Sequence, residues 1–318
     1  MRALMKGLTD AEFERQYGSE EQCLAALLAA RHEAGMVCPS CANKRVYVSG
    51  RRIGCSLCNR RWSVTAGTVM ANTKLPLTTW FRAMHAMTST KQGISAIELG
   101  RRLGVSYPTA WYLEKRLRHA MTERETRYVL GGPDDFGNPP PVVEADDVYL
   151  GGERNQGSGP VGKTRVIAAA ERHAGGGMGH VAMRVVDRFS ASAVKAFRES
   201  CLAANARVHT DGLAAFAAFA GTGTSHQATV TGGKRPPRKR GEAFWVVNTA
   251  IANLSTGLKA THKAISAKHA NDYLGAFCWM TNRRHEMTGM VPALCRAVVT
   301  ASTLTRRAVY KAQAVPLG

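Results

Sequence analysis

Two groups of residues in this chain have the side-chain types and spacings that hold cations. The first is Cys38-Pro-Ser-Cys41, thirteen intervening residues, then Cys55-Ser-Leu-Cys58. Each pair is spaced as a knuckle that presents two thiolates, and two knuckles close a tetrahedral zinc site. Four thiolates leave no open coordination position, so such a zinc stabilises a fold rather than catalysing. The second group is Asp146, inside the apolar run Val142–Leu150, and Asp211, at the tip of the run 206–212. An unpaired carboxylate in such surroundings costs several kcal/mol in desolvation unless a partner compensates. Hard oxygen ligands suit magnesium or manganese, and two such ions about 3.5–4 Å apart serve in-line attack on phosphate. Judged alone, Asp211 before Gly212 equally suits a turn. Asp147 is expected to point to the opposite strand face from Asp146, so that only one of them serves a given metal.

The elements that must position these groups can be read from periodicity. Between the cysteine pairs, the runs 45–48 and 51–53 alternate as a hairpin crossing from one knuckle to the other. From Pro141 the texture changes to short apolar runs at 142–150, 164–170 and 180–186, the last two joined by a Gly-rich turn. A helix over 191–203 precedes the run ending at Asp211. Three strands, a helix and another strand predict an α/β core of the RNase H-like kind, a mixed sheet flanked by helices.

Between ribbon and core, Leu77–Thr88 reads as a helix with Trp80, Phe81, Met84 and Met87 along one face. Ser95 and Glu98 then form the pattern of a capping box, with Ile97, Leu99 and Leu103 expected to face inward. Gly104 supplies a tight turn, and Ser106 caps a second helix over 107–121. This is the signature of a helix-turn-helix, with an ordinary basic helical hairpin as the alternative. In the first reading Tyr107, Thr109 and Tyr112 are candidate base readers, and Lys115, Arg116 and Arg118 candidate phosphate contacts.

Charge agrees with a polyanionic partner. Lysine and arginine number 43 against 23 acids, a net charge of +20 spread along the 318 residues rather than confined to a tail. Nucleic acid is the commonest such partner, because neutralising phosphates releases counterions. Lys234, Arg235, Arg238, Lys239 and Arg240 lie in a Gly- and Pro-rich stretch, 232–241, read as a loop along DNA or else a solvated linker. No run of eighteen apolar residues exists, and acids interrupt the start where a secretory signal would be apolar. The other cysteines, Cys23, Cys201, Cys278 and Cys295, are scattered singly, which does not suit a disulfide framework. A cytoplasmic setting without membrane attachment is therefore expected.

Taken in order, CPSC…CSLC, ISAIELGRRLGVS, VEADDVYLGG, VHTDG, VNTAIANL and KHANDYLGAFCWMTNRR resemble the insertion-sequence transposases of the ISXO-two-like type, the insertion-sequence family fifteen-ninety-five. The resemblance runs from about residue 9 to about residue 296. It implies a DDE-type transposase that acts on double-stranded DNA, both element ends and target. The first aspartate of that pattern matches Asp146, before Gly151 and Gly152, and the second matches Asp211. The third position, Glu in some members and Asn in others, matches Asn248; Glu242 is the alternative. An asparagine carbonyl ligates a cation without adding charge. Where several members carry a lysine seven residues after the third ligand, this chain has Ser255, and Lys259 one helical turn further is the substitute in gripping DNA.

The implied organisation is an N-terminal helical segment (1–34), a zinc ribbon (35–70), a helix-turn-helix domain (71–125), a linker (126–140), the core (141–300) and a basic tail (301–318). Joining two DNA ends calls for a homodimer or larger synaptic assembly. A DNA-binding protein with a decayed core, marked by Asn248 and Ser255, is the rival reading.

Overall fold

The computed structural model describes residues 7–133, 139–151, 163–221, 223–230, 242–262 and 265–311. Along the chain run α1 (Asp10–Tyr17), α2 (Glu20–Arg31), β1 (Val46–Ser49), β2 (Arg52–Cys55), β3 (Arg61–Ser63), α3 (Leu77–Thr88), α4 (Ala96–Leu103) and α5 (Tyr107–Glu125). Then follow β4 (Val142–Leu150), β5 (Thr164–Arg172), β6 (Met178–Val186), α6 (Ala191–Cys201), β7 (Arg207–Thr210) and β8 (Ser225–Ala228). The chain continues with α7 (Trp245–His262), α8 (Ala270–Asn282), α9 (Met290–Thr300) and α10 (Arg306–Lys311). Two units result. One gathers the chain up to Glu123 with Arg283–Val309, and the other comprises Arg124–Asn282 with the residues from Tyr310 on. Among the described residues, no helix is long and apolar enough to cross a membrane.

In the first unit, reciprocal capping boxes start α1 (Thr9 with Glu12) and α2 (Ser19 with Gln22), each satisfying two orphan N–H groups. The ribbon is a three-stranded antiparallel sheet in the order β1-β2-β3. The expected stripe of α3 is buried at Trp80, Phe81, Met84 and Met87. At α4 the Ser95 hydroxyl accepts from the Glu98 N–H (3.3 Å), while the Glu98 carboxylate turns to Arg102 (3.0 Å), so the box is half-formed. Gly104 takes φ 64°, a left-handed turn that glycine adopts without penalty. Ile97, expected to face inward, is 57% exposed. The buried side of α4 is Ala96, Leu99 and Gly100, and Ile97 stands about 100° of helix rotation from Ala96.

Residues 283–300 were expected to finish the core, yet they belong to the first unit, where α9 packs on α2 and α3. Val291, Leu294, Cys295 and Val298 supply the buried stripe that drives this packing. Residues of the expected linker belong instead to the second unit. Leu130 is buried in its core, and the Gly131 N–H donates to Glu171 Oε1 (3.0 Å).

The second unit is a five-stranded mixed sheet in the order β6-β5-β4-β7-β8. β4, β5 and β6 pair antiparallel, whereas β7 runs parallel to β4 and β8 parallel to β7. One face buries Val143, Ala145, Ile167, Ala169 and Val208 against α6 and the 3₁₀ turns at 214–219. The other buries Leu150, Val166, Ala168 and Ala170 against α7 and α8. This is the RNase H-like arrangement expected from the strand order. Edge strand β6 is covered by two asparagines of α8. Asn271 Oδ1 accepts from the Val185 N–H (3.1 Å) and Asn282 Oδ1 from the Val181 N–H (2.8 Å).

Candidate metal centres

The four expected ribbon cysteines converge, their sulfurs all within 4.8 Å of one another. Cys38 and Cys58 are 3.5 Å apart, Cys41 and Cys55 3.6 Å. Thiolates about 2.3 Å from a tetrahedral zinc lie about 3.8 Å from each other, so the donor set fits a structural zinc ion. Backbone N–H groups of Cys58 and then Leu57 aim at the Cys55 sulfur and lower its thiol to about 6. Cys55 belongs to β2, whose pairing with β1 sets it opposite Val46, and both partner loops close on that end of the sheet.

The carboxylate site arises from strand register. Parallel pairing of β4 and β7 places Ala145 beside Thr210, so the next residues, Asp146 and Asp211, emerge side by side. The chain turns at once, because Gly212 takes φ 94° and the Leu213 N–H donates to Asp211 Oδ1 (3.2 Å). Asp211 is therefore both a turn residue and a member of a cluster. Carboxylate oxygens of Asp146, Asp147 and Asp211 all lie within 4.8 Å of one another. This corrects the expectation for Asp147. Alternation sends its side chain toward the other face, but the side chain reaches around the strand into the same group, and its N–H donates to Asp146 Oδ1 (2.9 Å).

Burial, reinforced by the like charges of Asp211 and Asp147, raises Asp146 to about 7. Asp147 is also raised, by burial and then by Asp211. Three clustered carboxylates without a compensating cation are in electrostatic conflict, which a divalent metal relieves. Asp146, Asp147 and Asp211 would hold it.

Asn248 lies half-buried in the first turns of α7, the helix that packs on the Asp146 face of the sheet. Its Nδ2 donates to the Phe244 carbonyl (2.9 Å), which turns Oδ1 the other way. Glu242 is exposed ahead of the helix, and Lys259 is exposed near its C-terminal end. Of the residues expected on DNA, Tyr107 is 55% exposed and Thr109 half-buried, its hydroxyl 3.0 Å from that of Ser106. Lys115, Arg116 and Arg118 do not form a phosphate-facing row, because residues 113–118 are buried without a break. The Arg116 guanidinium lies over Trp80 (5.4 Å) and Tyr112 (5.1 Å) and donates to the Ala71 carbonyl (2.6 Å). Arg118 pairs with buried Glu114. Lys234, Arg235, Arg238, Lys239, Arg240 and Gly152 lie outside the described residues.

A mixed sheet of this order with aspartates clustered across β4 and β7, preceded by a four-cysteine ribbon, defines a zinc-ribbon protein with an RNase H-like DDE core. A family model described as the ISXO2-like transposase domain matches residues 140–282, and one described as the transposase zinc-ribbon domain matches residues 18–61, together more than half of the chain. The chain belongs to this IS1595 family of transposases. No curated protein and no solved structure matches it.

Proposed function

We propose that this transposase binds the terminal inverted repeats of its own insertion sequence and performs metal-dependent phosphodiester hydrolysis and strand transfer at Asp146 and Asp211, with Asn248 as the third position. The observation that carries the reading is the register of β4 against β7, which sets Asp146 and Asp211 side by side. When bound, magnesium or manganese ions supply Lewis acidity and lower the pKa of the attacking hydroxyl. The aspartates would hold the cations that offset the negative charge developing on the phosphate; the Asn248 amide would present a neutral oxygen. In hydrolysis a water oxygen bonds to phosphorus as the bridging 3′-oxygen leaves. In joining, the freed 3′-hydroxyl takes the water's place.

The ribbon and the helix-turn-helix, with Tyr107 and Thr109 at the start of its second helix, bind the ends. Lys259 and the stretch Lys234 to Arg240 follow the DNA backbone, and a dimer or larger assembly holds two ends together. The test is cleavage of labelled end DNA in manganese by the native protein and by Asp146→Ala, Asp211→Ala, Asn248→Ala and Asn248→Glu, each first shown to bind. Cutting by the native protein alone among the first four supports the reading. The neutral Asn248 favours one rival, a binder with a decayed core, and that rival prevails if only Asn248→Glu cuts or if nothing does.

A further inference from the structure

Two residues before Asp146, on the same face of β4, stands a carboxylate that the chemistry above does not use. Glu144 is fully buried, at 0% exposure. Its Oε2 accepts from the N–H groups of Val246 (3.1 Å) and Val247 (3.3 Å), and its Oε1 lies 2.8 Å from Arg172 Nε. A buried carboxylate is tolerated only when charge and hydrogen bonds compensate it, and here a guanidinium and a helix N-terminus do so together. Helices are ordinarily capped by a residue just ahead of them. At α7 the capping oxygen comes from a strand 102 residues away in sequence.

That bond ties the first turn of α7 to the strand that carries Asp146. The turn also contains Asn248, one residue after Val247. Entry to the helix is unusual as well, because Phe244 is 3% exposed and takes φ 64°, a left-handed conformation uncommon outside glycine. The Phe244 carbonyl accepts from both the backbone and the side-chain amide of Asn248 (3.0 and 2.9 Å). A strained turn of this kind persists when its surroundings over-determine it.

We propose that Glu144 is a positioning residue, which clamps the helix bearing Asn248 to the strand bearing Asp146 and so keeps the third position of the site in register with the first two. This rests on the reading of the site given above. Glu144→Gln keeps the size and an acceptor but removes the charge. Glu144→Asp keeps the charge but shortens the reach, and serves if the glutamine variant does not fold.

The experiment measures manganese binding by calorimetry on the zinc-loaded full chain, together with amide exchange at Val246, Val247 and Asn248. It compares native protein, Asp146→Ala, Glu144→Gln, Asn248→Ala and the double variant Glu144→Gln/Asn248→Ala. Replacing a group that orients a metal ligand typically weakens affinity about 10- to 100-fold. Glu144→Gln should therefore lose manganese affinity at least about tenfold and exchange faster at the three amides. In the Asn248→Ala background it should cause no further loss, since residues that act through one another are not additive. Native affinity in Glu144→Gln overturns the inference, as does a loss that multiplies in the double variant, which marks a general effect on the fold. If the native protein takes up no manganese that Asp146→Ala abolishes, the reading of the site itself fails and the inference falls with it.

Discussion

The thiolate and carboxylate clusters gather ligands by opposite means. The ribbon cysteines lie within 21 consecutive residues and meet at one end of a small sheet, so local chain geometry alone brings them together. The aspartates come from strands 65 residues apart and meet only because β4 and β7 pair in parallel at one register. Their electrostatics differ too. Backbone N–H groups stabilise the Cys55 thiolate, whereas burial and the charge of Asp211 raise the cost of ionising Asp146 and Asp147. One cluster helps to build its module; the other is held in conflict by a fold built without it.

Substitutions should break this contrast if it is wrong. Cys55→Ser should abolish zinc retention and the order of β1 and β2, since structural zinc contributes on the order of 10 kcal/mol to such modules. Metal analysis and amide exchange over Val46–Cys55 check this, and exchange in β4 and β5 should be unaltered. Asp146→Asn should instead leave the fold intact and reduce cleavage by roughly 10³-fold or more, several kcal/mol of barrier. Its metal-free melting temperature should rise by about 2–4 °C, because a like-charge conflict is gone. A fall would show that the carboxylate supports the fold.

The pH dependence sharpens the same point. Folding raises Asp146 from 3.8 to about 7, so the folded protein holds a proton that the unfolded chain releases. Stability from this group is present in full below about pH 4 and lost as the pH rises through about 7. The loss is roughly 1–2 kcal/mol once solvent screening is allowed for. Thermal melts of the zinc-loaded, magnesium-free protein at pH 5 and pH 8 should show it, and added magnesium should recover more stability at pH 8. The smallest effect is expected from Asn248→Asp. A charged oxygen in place of a neutral one should lower the manganese concentration for half-maximal binding about tenfold, about 1.4 kcal/mol.

The same division decides how much could be read from the sequence. Signals confined to a few residues were legible: the CxxC pairs, the left-handed turn at Gly104, the stripe of α3, and the runs that became β4 to β7. Asp146 and Asp211, singled out as carboxylates inside and at the tip of apolar runs, lie in one cluster. Signals that depend on what a side chain meets across the fold were not legible. Arg116 reads as a phosphate contact by type, yet its plane fits over Trp80 and Tyr112. Ile97 reads as core, yet stands off the buried face of α4. Asp147 was assigned away from Asp146 by strand alternation, which fixes where a side chain starts and not how far it reaches. The motif containing Asn271 and Asn282 was recognisable as a pattern, but its work of satisfying the N–H groups of β6 needs the strand to be in place. The caps at Thr9 and Ser19 had a local signature, T-x-x-E and S-x-x-Q, and needed only to be sought.

The return of α9 to α2 and α3 bears on how the chain is made. A ribosome delivers α2 and α3 long before α9, and domains generally fold as units during synthesis, N-terminal first. Here the first unit begun is not the first finished. Its helices wait, with an apolar face uncovered, until the whole Arg124–Asn282 unit has emerged and the last helices arrive. A polypeptide released before Met290 therefore lacks the helix that covers α2 and α3.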